Sequence, residues 1–232
     1  MASKNSIKVY LKNGFYHIYN RGVEKRDIFC DQQDFSVFVT YLKNYLLFKD
    51  EDALNRMFTS PESTSLEKQK IIKQLGLKNF FNKIDLLAYS LLPNHFHLLV
   101  KQNDENDIDS FMNAIGTRYA SYFNRRYKRV GPLYQGVYKA VLVETDEQLL
   151  HLSRYIHLNP FHYQNLRFSS WNQINWPCSL PNYLGIRNEG WVKTDFILSY
   201  FSKINSNFSY ADFVSSSFDE SRIASFYLET ET

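Results

Sequence analysis

Two histidines separated by one residue are the side chains whose spacing first suggests metal chemistry in this sequence. His95 and His97 follow the turn signal Pro93-Asn94 and alternate along a segment with the two-residue period of a strand. Both imidazoles should therefore leave the same face of a sheet, where two nitrogens one pleat apart can reach one divalent ion. The motif is short, and an isolated pair is more often two histidines with ordinary hydrogen bonds on a half-buried sheet.

Tyr155 and Asn159 could add a nucleophile and a third metal ligand. At about 100° per residue they lie one turn apart on nearly the same side of a helix. They flank an apolar stripe that should pack on the sheet, formed by Leu149, Leu152 and Ile156. The amide oxygen of Asn159 is a ligand that hard divalent cations accept. The alternatives are a core tyrosine and a helix C-cap before Pro160, and spacing does not choose between the two interpretations.

A tyrosine beside such a metal site could cut a nucleic-acid backbone. A phenol has a pKa of about 10 and is a poor nucleophile at neutral pH without help. A divalent ion on the phosphate oxygens would neutralise charge and hold the phosphorus in line with the attacking oxygen. Attack would give a covalent phosphotyrosine that conserves the bond energy for rejoining, whereas a simple hydrolase would activate water. His151 and His157 are weaker candidates for assisting proton transfer.

Composition limits the class of protein. The 232 residues suffice for one medium domain, or for a core domain with a small appendage. Cys30 and Cys178 lie far apart and indicate neither a disulfide framework nor a cysteine-based zinc site. The first residues lack the apolar region of a signal peptide, and no apolar run reaches transmembrane length. We therefore expect a cytoplasmic protein without membrane contact.

Charge and aromatic content are compatible with nucleic-acid binding. The net charge is only +3, but five basic residues fall within twelve positions: Arg118, Arg125, Arg126, Lys128 and Arg129. Such a block suits phosphates, although a charge run is usually a solvated face. The 17 Tyr and 19 Phe mainly predict core packing, and some of them could stack on unpaired bases, as single-strand binders require.

Periodicity predicts the elements that position these residues. Strands are expected at Phe15 to Asn20, Ile84 to Leu92, His95 to Val100 and Val137 to Val143, the second being nearly all apolar and therefore read as central. Asp31 is the expected N-cap of a helix with an apolar face made by Phe35, Phe38, Leu42, Tyr45 and Leu46. Another helix presents one apolar face from Ile108 to Phe123 and should end at Gly131-Pro132.

Sequence signals bound the last helix of this series at both ends. Thr145 to Gln148 matches a capping box, and Asn159-Pro160 is expected to end the helix. Residues 51 to 80 are charged and mixed and predict a surface insertion, and beyond Phe161 the pattern loosens. The order β-α-β-β-α-β-α indicates an α+β fold: a ferredoxin-like antiparallel sheet with helices mainly on one face, plus a C-terminal appendage.

Several long stretches in the same order resemble a known family, the REP-associated tyrosine transposases. These proteins are related to the single-tyrosine, insertion-sequence transposases of the HUH endonuclease superfamily. The stretches that carry the resemblance are 14–22 (GFYHIYNRG), 89–99 (YSLLPNHFHLL), 119–126 (YASYFNRR), 133–139 (LYQGVYK) and 154–160 (RYIHLNP). The resemblance covers roughly residues 12 to 200, and 168–171 (FSSW) and 183–185 (YLG) are similar to the tail of the family.

The resemblance implies a ferredoxin-like core that cuts single-stranded DNA with Mg²⁺ or Mn²⁺, leaving a 5′-phosphotyrosine link and a free 3′-OH. The metal histidines of the family fall on His95 and His97, and its nucleophile falls on Tyr155. Insertion-sequence relatives complete the metal site with a glutamine one turn after the tyrosine. Here that position is Asn159, which keeps the amide but shortens its reach. We expect the catalytic domain at 1–163, with the insertion at about 51–80, and the appendage, a candidate for DNA contact, at 164–232.

The resemblance also implies the partners. Members of the REP-associated branch recognise short palindromic repeats that fold as hairpins, and we expect a monomer or a homodimer associated with the nucleoid. The candidate DNA contacts are Arg21, Arg118, Arg125, Lys128, Lys139 and Arg154. Two other functions stay open: a domesticated, non-mobile regulator that binds DNA hairpins, and a metal-dependent hydrolase that uses water. The hydrolase would need an additional carboxylate near His95 and His97.

Overall fold

The computed structural model describes residues 10–164, 166, 173–202 and 209–216. The predicted tail motif at 168–171 lies outside these residues. Within the described residues, four antiparallel strands form one sheet: β1 (Phe15–Arg21), β2 (Ile84–Leu92), β3 (His95–Gln102) and β4 (Lys139–Val143). Their order is β2-β3-β1-β4. With helix α1 (Gln32–Leu46) after β1 and helix α4 (Asp107–Arg126) after β3, the chain has the predicted ferredoxin-like α+β arrangement.

Helices cover both faces of the sheet, although the sequence led us to expect them mainly on one. Helices α1 and α4 pack on one face, which we call the aromatic face, against Tyr16, Ile18 and Phe96. Helix α5 (Asp146–Gln164) packs on the opposite face, against Leu87 and Leu99, and we call this the histidine face. In the described part of the chain, three short helices follow α5: α6 (Leu180–Tyr183), α7 (Asp195–Leu198) and α8 (Tyr210–Ser215). Two covered faces explain why β2 is apolar on both sides.

Strand β2 lies at an edge of the sheet, so its predicted central position was wrong. The C-terminal segment forms backbone hydrogen bonds with this edge and shields the edge from solvent. They run from Leu91 N to Pro177 O (3.0 Å), from Ser179 N to Tyr89 O (3.0 Å) and from Lys193 N to Leu86 O (2.8 Å). A continuously apolar strand therefore indicates that both of its faces are buried. It does not indicate that the strand has a neighbouring strand along both edges.

Helix α5 begins as predicted but ends later. The Thr145 hydroxyl accepts a hydrogen bond from Gln148 N, and the Gln148 side chain accepts one from Thr145 N, as in a capping box. Pro160 does not end the helix, which continues to Gln164. Proline removes one helical hydrogen bond. Here Pro160 and Phe161 are both buried on the histidine face, and this packing offsets the lost bond.

Two further helices, α2 (Glu51–Thr59) and α3 (Ser65–Leu75), form a pair on the surface. Their N-caps are Asp50 and Thr64, the latter in a capping box with Glu67. Within the pair only Ile71 is buried. Helix α1 is capped by Asp31, as predicted, and its buried face contains the predicted residues. None of the described helices has both the length and the apolar character needed to span a membrane.

Candidate active site

Strand β3 presents its two histidines on the histidine face, while Phe96 between them enters the core of the aromatic face. The His95 and His97 ring centroids are 5.0 Å apart, with the ring planes at 90°. His97 is buried and His95 is half-buried. The predicted arrangement of two imidazoles one pleat apart is thus present in the structure.

Helix α5 brings the candidate nucleophile to these histidines. The Tyr155 ring lies edge-to-face with the His97 ring at a centroid distance of 5.5 Å. One turn later, Nδ2 of Asn159 lies 3.4 Å from Nε2 of His97. Tyr155 and Asn159 are both half-buried, so the helix exposes them beside the sheet without burying them in the core. Two elements distant in sequence thereby place a phenol, two imidazoles and an amide together.

A third histidine, which the sequence analysis missed, lies behind His97. Nε2 of His17 is 2.9 Å from Nδ1 of His97, and the His17 side chain is fully buried. The register of β1 on β3 pairs Tyr19 with His97, so His17 occupies the next position on the same face. The alternation of β1 assigns His17 to the face of Tyr19, but only the register between the strands shows that it meets His97.

Each metal-candidate imidazole is oriented by a second residue. Oδ1 of Asn94 can only accept a hydrogen bond, so Nδ1 of His95, 2.6 Å away, donates its proton. In the neutral ring Nε2 of His95 then carries the lone pair. For His97, the contact with His17 holds Nδ1 and leaves Nε2 facing Asn159. Outer partners of this kind fix the tautomer and the ring orientation of metal-binding histidines.

Burial keeps these imidazoles neutral. It lowers the pKa of His95 to about 4, with a smaller contribution from the positive charge of Arg21, while a hydrogen bond with Asn159 acts in the opposite direction. Burial, followed by the neighbouring His95 and His17, holds the pKa of His97 well below its usual value. Burial alone lowers the pKa of His17 to about 3. Neutral imidazoles offer lone pairs, which metal binding requires.

The donor set fits a divalent cation, although it is small. Among the described residues, no group of three or more His, Cys, Asp or Glu side chains could hold a metal ion. His95 and His97 therefore need the amide oxygen of Asn159 as a third donor, and the O and N assignment of an amide can be reversed by rotation. Two neutral imidazoles and one amide oxygen suit ions such as Mn²⁺ or Mg²⁺ that also bind substrate oxygens.

Two of the predicted DNA contacts lie on the histidine face. Arg21 pairs with His95 in the register of β1 and β3, and its guanidinium donates a hydrogen bond to the Gln135 side chain. The exposed Lys139 lies over the Tyr19 ring, with Nζ 5.5 Å from the ring centroid. Both cations are therefore within the neighbourhood of the candidate site.

The structure does not bring the other four predicted DNA contacts to this site. Arg118, Arg125 and Lys128 belong to α4 or the turn after it, on the aromatic face. Arg118 lies over the Tyr41 ring at 3.9 Å. Arg154 is buried, donates to the Ser216 carbonyl and lies over the Phe213 ring, so it faces α8.

The two weaker candidates for proton transfer also point elsewhere. Both ring nitrogens of the buried His157 are engaged, Nδ1 with the Tyr210 hydroxyl at 2.6 Å and Nε2 with the Ser179 hydroxyl at 2.7 Å. The His151 ring packs against Phe213 at 5.4 Å. These contacts hold α5 against the C-terminal segment and leave Tyr155 as the helix residue whose ring contacts His97.

The fold and the site together define a class: a ferredoxin-like α+β protein in which a helix sets a tyrosine against two histidines of one central strand. The model of the family described as IS200-like transposases matches residues 56–159, a range that contains His95, His97, Tyr155 and Asn159. Over this range the chain is similar to the IS200-like transposases. His17 lies outside the matched range.

Solved structures of transposases are also similar to this chain. One is the structure of a REP-associated tyrosine transposase bound to a REP hairpin, with 14% identity, a TM-score of 0.43, and coverage of 82% of this chain and 92% of that one. Another is a protein from Deinococcus radiodurans R1 described as a transposase, with 16% identity, a TM-score of 0.27, and coverage of 67% and 95%. Both TM-scores are low, so the fold assignment rests on the strand order. No curated protein matches the chain.

Proposed function

We propose that this protein is a transposase that cuts and rejoins single-stranded DNA through a covalent bond to Tyr155. The observation that carries the proposal is the contact of the Tyr155 ring with His97, one helical turn from Asn159. A tyrosine placed only for packing would not need two oriented, neutral imidazoles beside it. The combination matches the requirements of a phenol that attacks an activated phosphate.

The step balances without any further reactant. The Tyr155 oxygen bonds to phosphorus while the bond from phosphorus to the 3′ oxygen breaks. The phenol loses one proton and the 3′ oxygen gains one, which leaves a 5′-phosphotyrosine and a free 3′-OH. Attack of a 3′-OH on the phosphotyrosine reverses the step, rejoins the strand and releases Tyr155.

His95, His97 and the Asn159 amide are the residues that would hold a divalent cation. When bound, Mg²⁺ or Mn²⁺ supplies charge neutralisation at the phosphate oxygens. Asn94 and His17 orient the two imidazoles, so the nitrogens that face the substrate carry lone pairs. Arg21 and Lys139 add positive charge on the same face, where they would contact backbone phosphates.

The substrate we propose is a DNA strand that folds as a hairpin with unpaired flanks. The support for it is the series of sequence stretches shared with REP-associated transposases, together with the basic residues beside the site. A metal-dependent hydrolase that uses water would need a carboxylate at the histidines. Among the described residues, no carboxylate completes a three-ligand group there.

A gel assay tests the proposal directly. The intact protein is incubated with a labelled hairpin oligonucleotide and Mg²⁺ or Mn²⁺, and a denaturing gel resolves free DNA, cut DNA and covalent adduct. We expect an adduct with the wild-type protein and none with Tyr155→Phe. Tyr41→Phe, which removes a hydroxyl on the aromatic face, is the matched control and should form the adduct normally.

Three other outcomes would contradict the proposal. If the DNA is cut without forming an adduct, and this cutting persists in Tyr155→Phe, the hydrolase would be favoured. Tight hairpin binding by the wild-type protein without any cutting would favour a regulator. An adduct that persists in Tyr155→Phe would assign the nucleophile to another residue.

A further inference from the structure

The unexpected continuation of α5 past Pro160 adds a third residue to the face that carries Tyr155 and Asn159. Tyr163 follows Asn159 by four positions, so at about 100° per residue it lies on nearly the same side of the helix. Its ring centroid is 6.2 Å from that of His95, and its side chain is 51% exposed. An exposed aromatic ring therefore lies directly beside the candidate metal site.

A second aromatic ring extends this surface away from the site. The half-buried Trp176 lies 5.1 Å from Tyr163, with the two ring planes at 73°. Trp176 also lines a cleft of about 400 Å³, together with Asn175, Arg187 and Tyr89. This volume falls within the range of small-molecule sites, about 300–1,000 Å³, and is ample for one nucleobase.

Tyr89, one of the residues that line the cleft, has a buried polar group that is unsatisfied within the described part of the chain. Tyr89 is fully buried and stacks on Trp191 at 5.4 Å. Its hydroxyl has no hydrogen-bond partner among the described residues. A buried hydroxyl without a partner is unfavourable unless a ligand or an ordered water satisfies it. Arg187 at the rim is about half exposed and lies 3.6 Å from Glu189, so it offers a cation beside the cleft.

We propose that Tyr163 and Trp176 form a base-stacking ledge for the unpaired DNA flank, leading from the phosphate site to the cleft. The inference rests on the proposed function, because it names how the same site receives its strand. One base stacks on Tyr163, and the next turns onto Trp176 and enters the cleft, where the Asn175 side chain can hydrogen-bond to its edge. Arg187 faces the accompanying phosphate.

The angle between the two rings selects unpaired DNA. Neighbouring bases in a duplex are stacked nearly parallel, whereas surfaces inclined at 73° can receive consecutive bases only if these have unstacked. Stacking on aromatic side chains is largely independent of base identity, because every base has a π-face. The ledge therefore supplies affinity for an unpaired flank, and the edge groups in the cleft are the part able to select a base.

Binding measured without chemistry tests the ledge. Fluorescence anisotropy in the presence of a chelator compares a hairpin carrying an unpaired flank of about six nucleotides, placed on the 5′ or the 3′ side, with the same hairpin made blunt. We expect Tyr163→Ala and Trp176→Ala each to weaken binding of one flanked hairpin by about 10-fold or more, and Tyr163→Phe by less than about 2-fold. The blunt hairpin should bind all variants alike.

A probe within the DNA separates stacking from a general loss of structure. 2-Aminopurine in the flank should be quenched on binding to the wild type and to Tyr163→Phe, and should stay bright at one flank position with Tyr163→Ala at saturating protein. Unchanged quenching with Tyr163→Ala, or an equal loss of affinity for flanked and blunt hairpins, would overturn the ledge.

The ledge and the proposed function can fail independently. Flank-dependent binding that is lost in Tyr163→Ala, in a protein that forms no Tyr155 adduct, would support the ledge and refute the cleavage step. If the wild-type protein forms the adduct while Tyr163→Ala binds the flanked hairpin normally, the cleavage step would be supported and the ledge refuted.

Discussion

The two faces of the sheet differ in the side chains that they carry. On the aromatic face, alternate residues of β1 and β3, such as Tyr16, Ile18 and Phe96, enter a core of interlocking rings. The residues between them include His17, His95 and His97, which emerge on the other face against α5. The alternation of side chains along each strand therefore separates a hydrophobic packing face from the face that carries the candidate site.

The difference shows in how each face satisfies its side chains. On the aromatic face, Phe38 contacts Phe96 at 5.3 Å and Tyr119 at 5.0 Å, and the Tyr119 hydroxyl donates to the Ile28 carbonyl at 2.6 Å. On the histidine face, buried polar groups need partners of their own, as His17 does for His97. Burial of polar groups is costly unless each is paired, so the contacts on this face must satisfy hydrogen bonds as well as pack side chains.

Truncating the centre of the aromatic face should have the largest effect on stability. We expect Phe38→Ala to lower the free energy of unfolding by about 3–5 kcal/mol, because Phe38 is fully buried among other rings. Urea denaturation followed by circular dichroism measures the change. The matched control is Phe48→Ala, whose ring is 67% exposed, with an expected loss of about 1 kcal/mol or less. Equal losses from both variants would show that this face is not the main core.

Removing His17, the partner of His97, should weaken metal binding while the protein keeps most of its free energy of unfolding. We expect His17→Ala to lower the Mn²⁺ affinity of the DNA-free protein by about 10- to 100-fold, because His97 loses its orienting contact. Titration of Mn²⁺ by electron paramagnetic resonance measures the affinity. His17→Gln, whose amide oxygen can accept from Nδ1 of His97, should restore part of it, and the exposed His162→Ala should match the wild type. Unchanged affinity in a folded His17→Ala would refute an orienting role.

We expect the smallest effect from removing an exposed lysine, and it is measured by comparing DNA binding by variants at two lysines on opposite faces. We expect Lys139→Ala to weaken binding of single-stranded DNA modestly and to lower the magnitude of the salt slope by about 0.7, the value for one phosphate contact on a single strand. Lys128→Ala, after the helix on the aromatic face, should leave both quantities unchanged. Anisotropy titrations over a range of salt concentrations measure the slope. The opposite ranking would place the DNA path across the aromatic face.

Local patterns in the sequence determined which residues share a face of one element. The two-residue period put His95 and His97 together, the helical period put Tyr155 beside Asn159, and capping residues such as Asp31 and Thr145 fixed where helices begin. These features depend on backbone geometry within a few residues, and that geometry is encoded where it acts.

Only the tertiary structure decided which elements meet. The register of β1 on β3 brings His17 behind His97, and packing of Pro160 and Phe161 on the histidine face carries α5 on to Tyr163. The C-terminal segment likewise makes β2 a covered edge, and the sheet keeps the basic end of α4 away from Tyr155. These outcomes depend on contacts between residues far apart in the chain, because the free energy of burial that selects them is gained only when the whole domain is packed.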